Sequence, residues 1–140
     1  MVRRRVRSGG SRMGAKLFQC AAHEDVVLDT TRIMVLRRSL GDQRARAVVE
    51  EVVFHVSDRM GQLRAALDAR EVAEAQALAT RLASLSEQVG LATFAQVARA
   101  LAGCLEAGDT VASAAVAARL GRLAEESLLS VMDYADQSAL

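Results

Sequence analysis

The sequence contains no proline in its 140 residues. Proline is the strongest interruption of a helix, because its ring fixes φ and removes a backbone donor. Apolar residues also recur every three or four positions, which is the spacing of one face of an α-helix. These positions are filled mainly by alanine, leucine and valine, and alanine and leucine are strong helix formers. The chain is therefore predicted to be all-α.

The apolar pattern divides residues 25–140 into one domain of five helices. Apolar residues make up 51% of the chain, enough for one core without disulfides or a structural metal. Helix boundaries are predicted at Gly41, at residues 68–70, at Gly90 and at residues 107–109, and Asp29 or Thr30 is a suitable N-cap for the first, short helix. Short connections make consecutive helices antiparallel. We predict an antiparallel up-and-down four-helix bundle with a short leading helix across one end.

Residues 1–24 differ in composition from the rest of the chain. A basic segment can bind nucleic acid or anionic lipid. No aromatic residues alternate with its arginines, however, as a surface that stacks on bases would require. We expect a basic, disordered tail, or an upstream start codon with Met13 as the initiator, and no nucleic-acid partner. The arginines before Met13 are Arg3, Arg4, Arg5, Arg7 and Arg12.

Several functional classes are not favoured by the sequence. No apolar run approaches the ~20 residues that cross a bilayer, and no apolar signal-peptide core follows the basic start, so a cytoplasmic location without membrane contact is expected. Cys20 and Cys104 lack CxxC spacing and are expected to be reduced thiols. His23 and His55 are far apart and have no acidic partner at ligand spacing, so no metal or cofactor is expected. His55 is interpreted as a helix-flank histidine with a local hydrogen bond.

Segment 79–90, ATRLASLSEQVG, resembles the active helix of histidine-phosphotransfer domains. That family carries the pattern Ala-His-x-Leu-Lys-Gly, followed by small residues and a further glycine six positions later. Ala79, Leu82, Ser86 and Gly90 match this pattern at the right spacing. The upstream LRAALDAREV and the downstream GLATFAQVARALAGCLEAGD also resemble the family's flanking helices. The resemblance covers roughly residues 28–134.

Three positions depart from the family pattern. Thr80 occupies the phosphoacceptor histidine position, Ala83 the lysine position and Ser84 the glycine position. In the family, the histidine accepts a phosphoryl group from an aspartyl phosphate, and the lysine one turn later offsets the phosphate charge. A threonine hydroxyl is a poor nucleophile without an adjacent base. The resemblance therefore implies a non-catalytic member of the family, with no enzymatic activity.

The side of this helix that points away from the Leu78–Leu82–Leu85 stripe is the candidate binding face. The side chains at its centre are small and those at its rim are charged, a composition that suits contact with a partner helix. In the family this face meets receiver domains of response regulators. The resemblance therefore implies that the partner is a receiver domain or a histidine kinase in a two-component phosphorelay. The candidate partner-binding residues are Gln76, Ala77, Thr80, Arg81, Ala83, Ser84 and Glu87.

Three other interpretations stay open at this stage. The face could be an ordinary solvated helix surface. The chain could be a structural bundle that forms a homo-oligomer through its alanine-rich faces. It could also be an active phosphotransfer protein that uses His23 or His55, although Val26 and Asp58 occupy the positions where such a histidine would need its lysine.

Overall fold

The computed structural model describes residues 3–6 and 26–138, with side chains over residues 26–137. Five helices, packed against one another, account for most of these residues, so the all-α prediction is confirmed for the described part of the chain. Two four-residue strands accompany them. The elements are β1 (Arg3–Val6), β2 (Val26–Asp29), α1 (Thr30–Leu40), α2 (Asp42–Asp68), α3 (Val72–Gln88), α4 (Ala92–Glu106) and α5 (Thr110–Ser138).

The helices share one apolar core. Helix α2 contacts α3, α3 contacts α4, α4 contacts α5, α5 contacts α2, and α1 packs on α2. Buried side chains three or four positions apart line the inward side of the helices, because residues at that spacing share a helix face. The largest fully buried side chains of the helices include Phe94, Leu82, Leu101, Leu120, Val49 and Val131.

The first helix begins as the sequence predicts. The Asp29 side chain accepts a hydrogen bond from the Thr31 N–H, with a donor–acceptor distance of 3.2 Å, and another from the Thr31 hydroxyl. Such a cap satisfies a backbone donor that has no partner inside the helix. Gly41, at φ 86°, ends α1 and separates it from α2 by a single residue.

Helices α2, α3 and α4 end in the same type of turn. In each turn one residue has a positive φ: Arg70 at 60°, Gly90 at 81° and Gly108 at 72°. Its N–H donates to the carbonyl three residues earlier, and the next N–H donates to the carbonyl five residues earlier. This hydrogen-bond pattern is the Schellman motif. The breaks predicted at these three places are confirmed.

The N-terminal segment differs from the prediction at residues 3–6. These residues were expected to belong to a disordered tail, but they form β1, which pairs antiparallel with β2 so that Arg3 lies opposite Asp29 and Val6 opposite Val26. Burial holds β2 in place, because Val26 is fully buried and Leu28 is only 2% exposed. A strand held in this way presents backbone donors and acceptors along its edge, with which β1 pairs. The remaining calls on the tail, including Met13, Cys20 and His23, lie outside the described residues.

Candidate binding face on helix α3

Helix α3 lies between α2 and α4, so a wide part of its circumference is buried. Six of its side chains belong to the core, and they include Ala79, Leu82 and Ser86. On the opposite side Ala77, Thr80, Arg81 and Ser84 are exposed, and Gln76 and Glu87 are half-buried at the edge. We call these last six residues, Gln76, Ala77, Thr80, Arg81, Ser84 and Glu87, the α3 face.

Ala83 was expected to point away from the apolar stripe, and this placement is wrong. Its exposed fraction is 0%. Glu87 lies one turn after Ala83 on the same side of α3, and its ion pair with Arg99 indicates that α4 packs along this side. A helix with two neighbours buries a wider arc than its leucine stripe indicates. A lysine at this position would therefore meet the packing of α4 and not open solvent.

Thr80 lies near the middle of the α3 face. Its hydroxyl donates to the backbone carbonyl of Gln76, one turn earlier, at 3.1 Å. Threonine on a helix commonly makes this bond to its own backbone. A carbonyl oxygen is not a general base, so this arrangement does not activate the hydroxyl as a nucleophile. In this geometry Thr80 supplies a small, neutral contact surface.

Arg99 of α4 extends the charged rim of the α3 face. Its Nε donates to Glu87 Oε2 at 3.2 Å, and its Nη2 donates to Glu87 Oε1, so the pairing is bidentate. The hydrogen bond to Glu87 and the negative charge of Glu87 raise the pKa of Arg99. Arg99 was not predicted from the sequence, because the pair joins two helices. An arginine among the exposed positions of α4 was its only sequence signal.

The remaining candidate residues lie apart from the α3 face. His55 is half-buried on α2, with Nε2 at 3.6 Å from Glu51 Oε1 and its ring edge against Phe54. Cys104 is a half-buried free thiol on α4. Within residues 26–137, no three His, Cys, Asp or Glu side chains form a group that could hold a metal ion. None of the described helices has the length and apolar character needed to cross a bilayer.

Comparison with known proteins identifies no relative of this chain. No family model, no curated protein and no solved structure matches it. The resemblance to histidine-phosphotransfer domains therefore depends on segment 79–90 and its flanking helices alone.

Proposed function

We propose that this chain is a non-catalytic binding protein that modulates a two-component phosphorelay, and that its α3 face docks on a response-regulator receiver domain or on a histidine kinase. The observation that carries this proposal is the composition of the face. Ala77, Thr80 and Ser84 are small and exposed, and Arg81 stands beside them. Small side chains let a partner helix approach closely, and charged groups at the rim set its orientation.

The residues that match the family pattern support the proposal through their structural role. Ala79, Leu82 and Ser86 are all fully buried, so the position of α3 in the core depends on them. Gly90 has a positive φ and ends the helix. The positions shared with the family are thus framework positions, whereas two of the three departures, Thr80 and Ser84, are at exposed positions and the third, Ala83, is buried.

The proposal also covers how the helices are arranged and where in the cell the protein acts. We infer an antiparallel up-and-down bundle of α2, α3, α4 and α5, with α1 across one end. Connections of three residues between successive long helices, and the contact of α5 with α2, support this arrangement. The proposed partners act in the cytoplasm, and we place the chain there as well.

The test measures binding to receiver and kinase domains encoded in the same genome. We expect a complex with at least one of these domains, and no acid-labile phosphate on this chain when a phosphorylated receiver is added. Failure to bind any of them would contradict the docking part. Phosphate on His55 or His23 would contradict the non-catalytic part.

A pair of serine substitutions tests whether the α3 face is the docking surface. Ser84→Arg adds a long, charged side chain at an exposed position of the face, and we expect it to weaken binding at least about tenfold, a loss typical of a residue central to an interface. Ser57→Arg makes the same change at an exposed position of α2 and is the matched control. Equal affinities of the two variants would show that the partner docks elsewhere.

A second candidate function is a structural module that self-associates. The observation in its favour is that large apolar side chains remain exposed, with Phe54 at 67% and Leu129 at 62%. Such side chains can supply apolar contact area to a homo-oligomer. Sedimentation distinguishes the candidates, because a stable homodimer that Phe54→Ser dissociates, and that does not bind receivers, would favour the structural module.

A further inference from the structure

A cleft of about 570 Å³ opens where α2 and α4 end and α3 and α5 begin. This volume falls within the roughly 300–1,000 Å³ of small-molecule sites. Its apolar lining includes the buried Ala75 and Leu105 and the half-buried Leu67 and Ala117. The cleft uses no residue of the α3 face.

The charged lining of the cleft is exposed. Arg70, Glu71 and Thr110 all line the cleft and are all exposed. The buried lining is apolar apart from Ser113, whereas the exposed lining holds both charged side chains together with Val72 and Ala114, so charge is confined to the mouth. This gradient matches a ligand with an apolar body and a polar head.

Arg70 has a backbone conformation that glycine would adopt with less strain. It is the one non-glycine residue with a positive φ in the described part of the chain. The equivalent position is glycine in the other two Schellman turns, Gly90 and Gly108. Residues held in such a conformation are concentrated at functional sites. Among the described residues, no carboxylate forms an ion pair with the Arg70 guanidinium.

We propose that this cleft binds a monomeric long-chain carboxylate, a free fatty acid, with its alkyl chain in the apolar interior and its carboxylate on Arg70. Burying the chain removes apolar surface from water. A guanidinium matches a carboxylate through two parallel hydrogen bonds. Glu71 at the same mouth carries a negative charge, so the site favours a singly charged head over a doubly charged phosphate.

Titration calorimetry with dodecanoate, kept below its micelle concentration, tests the proposal on the full chain. We expect one dodecanoate to bind per chain, and dodecanol, which lacks the charge, to bind at least tenfold more weakly. Absence of dodecanoate binding up to the micelle limit would overturn the proposal. Equal affinities for dodecanoate and dodecanol would also overturn it, because the charge would then have no partner.

Variants at the mouth assign the carboxylate to Arg70. Arg70→Gly removes the charge at a position where the backbone favours glycine, so the variant should fold, and we expect dodecanoate affinity to fall at least tenfold. Arg70→Lys should bind within about fivefold of the original chain because it keeps the charge. Glu71→Gln should bind more tightly because it removes a repulsion. Unchanged binding by Arg70→Gly would overturn the assignment.

Two further variants separate the cleft from general surface effects. Ala114 is exposed and lines the cleft, so Ala114→Trp should block the mouth and reduce dodecanoate binding at least tenfold without disturbing the core. Arg122→Ala removes an exposed arginine of α5 that does not line the cleft and should bind dodecanoate normally. If Arg122→Ala lost as much affinity for dodecanoate as Arg70→Gly, binding would depend on the overall charge of the protein and not on the cleft. That result would overturn the proposed site.

Discussion

Schellman turns end helices at both ends of the helical domain, but within the described part of the chain only one of the two ends is covered by another element. At one end, which we call the Gly90 end, β2 lies against the turn between α3 and α4. The Asp29 N–H donates to the Gly90 carbonyl at 2.7 Å, and the Val27 N–H donates to Thr93 Oγ1 at 2.9 Å. At the other, the Arg70 end, the turns at residues 69–71 and 107–109 border a cleft of about 570 Å³.

Strand β2 buries two of its apolar residues, whereas the first turns of α3 and α5 each leave a valine exposed. At the Gly90 end Val26 and Leu28 are at most 2% exposed, whereas at the Arg70 end Val72 is 50% and Val111 is 80% exposed. Removing apolar side chains from water is the main source of folding free energy. The covered end therefore contributes to stability, and the open end has the concave surface that a ligand needs.

The largest expected loss of stability follows from replacing Gly90, at the covered end. In Gly90→Ala, the new Cβ would lie 2.2 Å from the Asp29 carbonyl oxygen, and the φ of 81° would be unfavourable as well. The left-handed conformation costs about 1–2 kcal/mol. Overpacking adds about 1–3 kcal/mol. We expect the free energy of unfolding, measured in urea, to fall by about 3 kcal/mol.

Gly108→Ala is the matched control at the open end. Gly108 has a φ of 72°, but a Cβ there would meet no atom within 4 Å among those described. The backbone strain applies without a clash, and alanine offsets part of it by restricting the unfolded chain, so the loss should be about 0.5–1 kcal/mol. If Gly90→Ala and Gly108→Ala lost the same free energy of unfolding, the close approach of Gly90 to Asp29 would not contribute to stability. The two ends would then not differ in how tightly they are packed.

The next effect concerns the strand that covers the Gly90 end. Leu28 is 2% exposed and its backbone forms a bridge with Leu91. Leu28→Ala should lower the free energy of unfolding by about 2 kcal/mol, near the low end for buried leucines because a short strand can move to fill the gap.

Val111→Ala is the corresponding change at the open end. Val111 is exposed, so this change should alter stability by less than about 0.5 kcal/mol. If Leu28→Ala were equally neutral in urea unfolding, β2 would not contribute to the core, and the difference between the two ends would lose its energetic basis.

Local sequence signals were sufficient for the helices but not for the strands. The Asp29 cap and the turns at residues 68–70, 90 and 107–109 depend on residues a few positions apart, and all were predictable. The pairing of β1 with β2 joins segments about twenty residues apart in the sequence. Neither four-residue strand has a pattern long enough to be recognised in the sequence, because pairing and burial, more than intrinsic preference, stabilise a strand.

The candidate site was predictable only in part, for a similar reason. Helical spacing placed Thr80 and Ser84 on the exposed side of α3. It could not place Ala83, whose burial depends on the side from which α4 approaches, nor identify Arg99, which reaches Glu87 from another helix. The cleft at the Arg70 end was also missed, because it is formed by four helix ends that meet only in the folded chain.

The smallest expected effect is a gain in stability at the open end. Arg70→Gly relieves a positive φ, but glycine also increases the freedom of the unfolded chain, so we expect a net gain of about 0.5 kcal/mol and a slightly higher Tm. Ala69→Gly is the control one residue earlier, where φ is −82° and glycine offers no relief, and it should lose about 0.5–1 kcal/mol. If Arg70→Gly instead lost stability, the arginine side chain would itself hold the Arg70 end together, because only contacts in the folded state could offset the strain. A gain in stability combined with a loss of dodecanoate binding would mean that Arg70 contributes more to the ligand than to the fold.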